Sequence, residues 1–194
     1  MKHLNRTIAF SLTAALMAGG SLLASATTGL AQEKTVTVGG APMLPSKTIV
    51  ENAVNSKDHT TLVTAVKAAG LADTLSGKGP FTVFAPTNAA FAKLPAGTVD
   101  TLVKPESKQM LTGILTYHVV AGKVNASDLA AQIKSGSGKA TLKTVAGGSL
   151  TASMEGDKVV ITDAKGGKST VTIADVNQSN GVIHVVDTVL MPAS

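Results

Sequence analysis

The chain has 194 residues, of which 17 are basic and 12 acidic, for a formal net charge of +5. It contains no cysteine, which excludes a disulfide framework, a Cys-ligated zinc site and a cysteine nucleophile. Arg6 is the only arginine and there is no tryptophan, so the forked contacts and stacking platforms that suit nucleic acid are missing, and no nucleic-acid partner is expected.

The chain opens with Lys2 and Arg6, then runs uncharged and mostly apolar from Ile8 to about Leu23. Small residues follow at Ala24, Ser25, Ala26, Gly29 and Ala31. That order is a secretory signal peptide over residues 1–31, with cleavage after Ala31 and a secreted or periplasmic product. The apolar stretch is short for a membrane span and is broken by Gly19-Gly20, so no transmembrane segment is expected once the signal is removed. Residues 32–46, with Gly39-Gly40, Pro42 and Pro45, read as an extended leader without assigned elements. One domain is expected over residues 47–192.

From Lys47 the apolar period is helical. Ile49 pairs with Ala53 and Val50 with Val54. A second helix carries Leu62, Val63, Val66 and Ala69, with Asp58 as its N-cap and Gly70 as its stop. Phe81 to Ala85 is a strand ended by Pro86, and Thr87 or Asn88 caps a short helix bearing Phe91 and Leu94. A further short helix is placed at 98–103. Pro105 and Glu106 open a stronger one whose buried stripe is Met110, Leu111, Ile114 and Leu115. Tyr117 to Val120 is β-prone, and Ser127 caps a last helix through Ile133.

After Gly138 the period becomes two. Leu150, Ala152 and Met154 alternate with Thr151 and Ser153, and Val171 and Ile173 with Thr170 and Thr172. Gly156-Asp157, Gly166-Gly167 and Asn180-Gly181 mark turns, and Val182 to Val186 is apolar on both faces, as in a buried strand. Helices first and strands later argue for an α+β fold with an antiparallel sheet.

Two segments are more specific. Gly79 to Phe91 (GPFTVFAPTNAAF) resembles the first signature box of fasciclin (FAS1) domains, and Asn180 to Pro192 (NGVIHVVDTVLMP) resembles the second. Tyr117-His118 falls between them, where the family carries a Tyr-His pair, and Asp175-Val176 is similar to an Asp-Ile element of some members. The resemblance implies a β-wedge or sandwich flanked by short helices, mostly in the N-terminal half. It also implies a role in adhesion to a cell surface, matrix component, polysaccharide or another copy of the chain. On this resemblance Phe81, Phe84, Pro86, Thr87, Asn88, Phe91, Asn180, Gly181, His184 and Asp187 are the structural residues of the boxes. Tyr117, His118, Asp175 and Val176 are the candidate binding residues. For Tyr117-His118 two readings stand: a recognition element, or side chains that hold a helix end to the sheet.

No catalytic constellation emerges. His59, His118 and His184 lack zinc-ligand spacing, and Asp163-Ala-Lys-Gly-Gly-Lys lacks that of a calcium loop. Gly136-Ser137-Gly138 is not a nucleophile elbow. Gly77-Lys78-Gly79 leads into a proline and a strand and so cannot cradle phosphate. Neither an enzyme nor a bound metal or cofactor is expected. A periplasmic small-molecule or lipid carrier is the alternative, and it requires an apolar pocket of several hundred cubic ångströms; a hydrolase, the last alternative, requires a large polar pocket with two His or carboxylates in contact.

Overall fold

The computed structural model describes residues 35–193. The signal-peptide reading of residues 1–31 lies outside the described residues. The segment read as an extended leader without assigned elements instead forms a hairpin, β1 (Val36–Val38) and β2 (Ala41–Met43). Its inward side chains Val38 and Met43 are 3% exposed and join the main core. Alternation places both on one face, and the two glycines between them supply the turn.

The N-terminal half is helical. Helix α1 (Ile49–Asn55) starts at Thr48, which forms a reciprocal capping box with Glu51. Helix α2 (Thr60–Ala69) follows a 3-10 turn over Lys57–His59, so its N-cap position is His59 rather than Asp58. Gly70 ends it at φ +72° and donates back to the Val66 and Lys67 carbonyls, a left-handed cap that glycine adopts without a Cβ clash. The short helices α3 (Ala72–Ser76), α4 (Asn88–Ala92) and α5 (Thr98–Leu102) precede α6 (Lys108–Tyr117). Helix α6 buries Leu111, Ile114 and Leu115, but Met110 is 64% exposed. The stripe expected at Met110 begins one residue later, because Leu111, Ile114 and Leu115 share a face at i, i+3 and i+4 while Met110 falls off it. Helix α7 (Ala126–Ser135) has Asn125, not Ser127, at its N-cap position.

Seven strands form one sheet in the order β4-β3-β9-β8-β7-β6-β5. They are β3 (Phe81–Pro86), β4 (Val119–Ala121), β5 (Lys139–Lys143), β6 (Ser149–Glu155), β7 (Lys158–Thr162), β8 (Lys168–Gln178) and β9 (Gly181–Val186). The neighbouring pairs are antiparallel except β3 and β9, which run parallel from Phe81 opposite Gly181 to Pro86 opposite Val186. Strand β8 pairs with β7 through its first residues and with β9 through the rest, with register shifts between Val171 and Val176. Such bulges bend a strand. The bent sheet brings its far ends together, where Val120 of β4 bridges Thr144 beyond β5.

Two cores result. One lies between the helices and β3, β8 and β9 and includes Val83, Ala85, Val176, Ile183 and Val185. The other fills the wedge and includes Phe84, Tyr117, Leu129, Leu150, Ile161 and Val186. Strands β3 and β9 form the wall between the cores, sending alternate residues into each. That accounts for the unbroken apolar run of Val182–Val186.

Candidate functional site

Tyr117 and His118 lie at the end of α6 and are 1% and 2% exposed. Helix α6 delivers Tyr117 into the wedge, where its hydroxyl donates to the Ser149 carbonyl at 2.8 Å and accepts from the Ala164 N–H at 3.0 Å. Gly148 leaves room for the ring: a Cβ there would stand 2.7 Å from it. His118 is bonded at both nitrogens, Nδ1 with the Ile114 carbonyl at 2.8 Å and Nε2 with the Leu190 N–H at 2.9 Å. A carbonyl can only accept and an N–H only donate, so the proton sits on Nδ1 and the ring is neutral. Complete burial pushes its pKa down to about 4. The pair read as a possible recognition element therefore presents almost no surface, and each of its polar atoms is bonded within the fold.

His184 mirrors this arrangement. It is fully buried and stacks on Phe84 with ring centroids 5.6 Å apart. Its Nε2–H donates to the Val124 carbonyl at 2.8 Å, and Nδ1 accepts from the Asp175 N–H at 3.3 Å. Burial lowers its pKa too. Asp175 sits in the β8 bulge at φ +56°, and its Oδ1 accepts from Ala126 N–H at 2.7 Å, at the positive end of α7. Val176 is fully buried. Of the four candidate binding residues, Asp175 alone is more than marginally exposed, and its carboxylate is already engaged.

The box residues make long-range bonds. Thr87 caps α4 by accepting from Ala90 N–H. Asn88 instead reaches sideways, accepting from Thr61 N–H and donating to the Lys57 carbonyl. Phe84, Pro86 and Phe91 are buried and Phe81 half-buried. Asn180 ties three segments: Oδ1 accepts from Ile49 N–H, and Nδ2 donates to the Leu75 and Gly77 carbonyls. Gly181 allows close approach, since a Cβ there would lie 2.0 Å from the Phe81 carbonyl oxygen. The β8–β9 turn is thus made by Ser179 and Asn180, with Gly181 paired to Gln178, rather than by Asn180-Gly181. Asp187 accepts from Thr170 N–H at 2.8 Å and meets Lys93 at 3.5 Å.

One organising residue escaped the sequence reading. Asp163, 8% exposed, accepts from the N–H groups of Lys165, Gly167 and Met191. It thereby joins the β7–β8 turn to the C-terminal segment. An aspartate two to four residues ahead of a Gly-Gly turn is the pattern of a side chain that closes its own loop, and that signal was present.

The cavities are of two kinds. Between α1, α2 and β3 lies an apolar cavity of about 30 Å³ lined by Ile49, Leu62, Val66, Val83 and Leu115. Another, of about 20 Å³, lies under the β1–β2 hairpin beside His59. Each has room for about one water, against the several hundred cubic ångströms a carried ligand needs. An open groove of about 510 Å³ with a mixed lining lies beside the start of β3 and carries Lys78 and Lys123. Among the described residues, no group of three or more His, Asp or Glu side chains could hold a metal ion.

The Fasciclin domain family matches residues 57–192. The chain belongs to the fasciclin family. This fasciclin-family chain is similar to protein sll1483 of Synechocystis sp., at 46% identity over 192 residues covering 99% of both chains. It is similar to the immunogenic protein MPB70 of Mycobacterium bovis at 38% identity over 145 residues, 72% of this chain and 66% of that one. Its fold is that of a solved FAS1 domain pair from the insect cell adhesion molecule fasciclin I. The TM-score is 0.66 at 23% identity, covering 75% of this chain and 51% of that one, so this chain spans about half of the paired structure. The family match begins at residue 57, yet the β1–β2 hairpin and α1 ahead of it supply Val38, Met43 and Ile49 to the core.

Proposed function

We propose that this protein is an exported, non-catalytic adhesion module that contacts a cell surface, matrix component or polysaccharide through its outer surface. The observation that carries the reading is where the buried polar side chains of the second family box and of the segment between the boxes go. His118, His184, Asn180 and Asp163 are each turned inward and bonded to backbone groups, so they position strands and turns and have no free atom to offer a substrate. Two further facts support it: the family membership, and a fold shared with a domain pair from a molecule named for cell adhesion. Export rests on the charge, apolar stretch and small-residue order of residues 1–31.

The test is binding of labelled protein, produced from the full chain, to its own producing cells and to other cell types across a salt series. Saturable binding that weakens as salt rises is expected, because without residues 1–31 the chain keeps 15 lysines against 12 acidic residues, a net charge of +3. Absence of saturable binding to any cell or matrix preparation would overturn the reading.

A further inference from the structure

The β5–β8 part of the sheet has one face in the wedge core and one turned outward, and the strand register fixes which residues share each face. On the inner face Ala140, Ala152, Ile161 and Ser169 lie in one row across the strands, and all four are 6% exposed or less. On the outer face the neighbouring rows have a different chemistry. One runs Lys139, Ser153, Val160, Thr170, and the next runs Thr141, Thr151, Thr162, Lys168. Lys143 opposite Ser149 begins a third. A fourth pairs Glu155 with Lys158. Across these rows Val160, buried at 3% exposure beneath its neighbours, is the one apolar side chain and Glu155 the one acid, and the rest carry a hydroxyl or an ammonium group.

These groups are mostly unused by the fold. Lys168 pairs with Glu155 at 2.6 Å. Lys139, Lys143 and Lys158, all exposed, make no ion pair among the described residues. Among the described residues the hydroxyls of Thr141, Thr151, Ser153 and Thr162 have no hydrogen-bond partner, whereas Ser169 on the inner face bonds the Thr188 carbonyl at 2.7 Å. Neighbouring strands lie about 4.8 Å apart and same-face residues about 6.8 Å apart along a strand, so the face is a regular lattice of donors with a net positive charge.

We infer that this outer face of β5–β8 is a docking surface for a carboxylate-bearing polysaccharide. The inference rests on the adhesion reading above and specifies its partner. The lysines supply charge complementarity to carboxylates, and the hydroxyl rows match the alternating donors and acceptors of a sugar chain. A protein partner fits poorly, because the face lacks the Trp, Tyr and Arg anchors that dominate protein interfaces. A second copy of the chain brings the same positive charge. A bilayer finds no aromatic group to take up, and Val160, the one apolar side chain, is buried.

The experiment measures binding of the protein, produced from the full chain, to immobilised polygalacturonate, with neutral dextran and polyglutamate as comparisons. Saturable binding to polygalacturonate is expected, at least tenfold tighter than to either comparison. The Lys139→Glu/Lys143→Glu/Lys158→Glu variant loses tenfold or more. Thr141→Val/Thr151→Val/Ser153→Ala loses several-fold with its charge unchanged. Lys78→Glu/Lys123→Glu, in the competing groove, leaves binding unchanged. Circular dichroism verifies that each variant is folded, and Lys139→Gln/Lys143→Gln replaces the triple reversal if that one is not. Undiminished binding by the lysine variants, a loss in the groove variant, or equal binding to polyglutamate would overturn the inference. Saturable binding to cells without binding to polygalacturonate would overturn this inference alone. Binding to neither would take the adhesion reading with it.

Discussion

Tyr117 and His118 are neighbours in sequence, yet the fold commits them to separate tasks: Tyr117 locks α6 to the β6 and β7–β8 turns, and His118 locks α6 to the C-terminal segment at Leu190. The consequence is a pH dependence. His118 has a folded pKa of about 4 against an ordinary 6.5, so between those values the unfolded chain binds the proton and the folded one does not. Stability therefore rises with pH across that window and is lost as pH falls through it. The stability lost through His118 as pH falls from 7 to about 4 is on the order of 3 kcal/mol. His59 and His184, also lowered by burial, act in the same direction. Urea unfolding at steps from pH 7 to pH 4.5 should give steadily lower stability. A flat profile, or an NMR titration of the His118 ring with its midpoint near 6.5 in the folded protein, would contradict this assignment.

Among the elements, β3 and β9 are decisive. They correspond to the two family boxes, lie about a hundred residues apart in sequence, and pair in parallel at the wall between the cores. Their close approach at Phe81 and Gly181 leaves no space for a side chain. Gly181→Ala should destabilise the fold by about 3 kcal/mol or more, at or above the upper end of what overpacking usually costs, because the obstacle is backbone and cannot rotate away. Gly113→Ala is the comparison: it lies inside α6, is not among the glycines with positive φ, and has nothing within 4 Å of the added Cβ. Comparable denaturation midpoints for the two variants would refute the close-approach argument. Helix α6 shows the limit of periodicity. The sequence identified the helix, but it could not decide whether Met110 or Leu111 began the buried stripe, since both fit an i+4 partner.

For the whole molecule, the shared wall couples the two cores. Phe84 and Val186 point into one while Val83 and Val185 point into the other, so neither core can open without exposing the back of the other. Thermal unfolding should be a single transition, with far-UV circular dichroism and the fluorescence of Tyr117 coincident. Two separated transitions would show that the helical layer and the wedge unfold independently. The β1–β2 hairpin belongs to the same unit, although Gly39-Gly40 and two prolines made its sequence read as a leader. Its two three-residue strands are too short for a periodicity signal, and they hold because Val38 and Met43 meet a core that forms from the rest of the chain.

By itself the sequence determined the α+β class, the helices-then-strands order and the buried closing strand, because these follow from local period, turn residues and composition. It also carried the two boxes that point to the fasciclin family. Only the tertiary structure decided the rest. The parallel pairing of β3 with β9, the bend of β8, the inward bonding of Tyr117 and His118 and the donor lattice of the outer face all depend on partners far away in the chain. Asn180 bonding Ile49 and Asp163 bonding Met191 are such partnerships. A polar side chain carries the capacity to bond in its sequence, but whether it bonds within the protein or remains free for something outside is settled by what the fold places beside it.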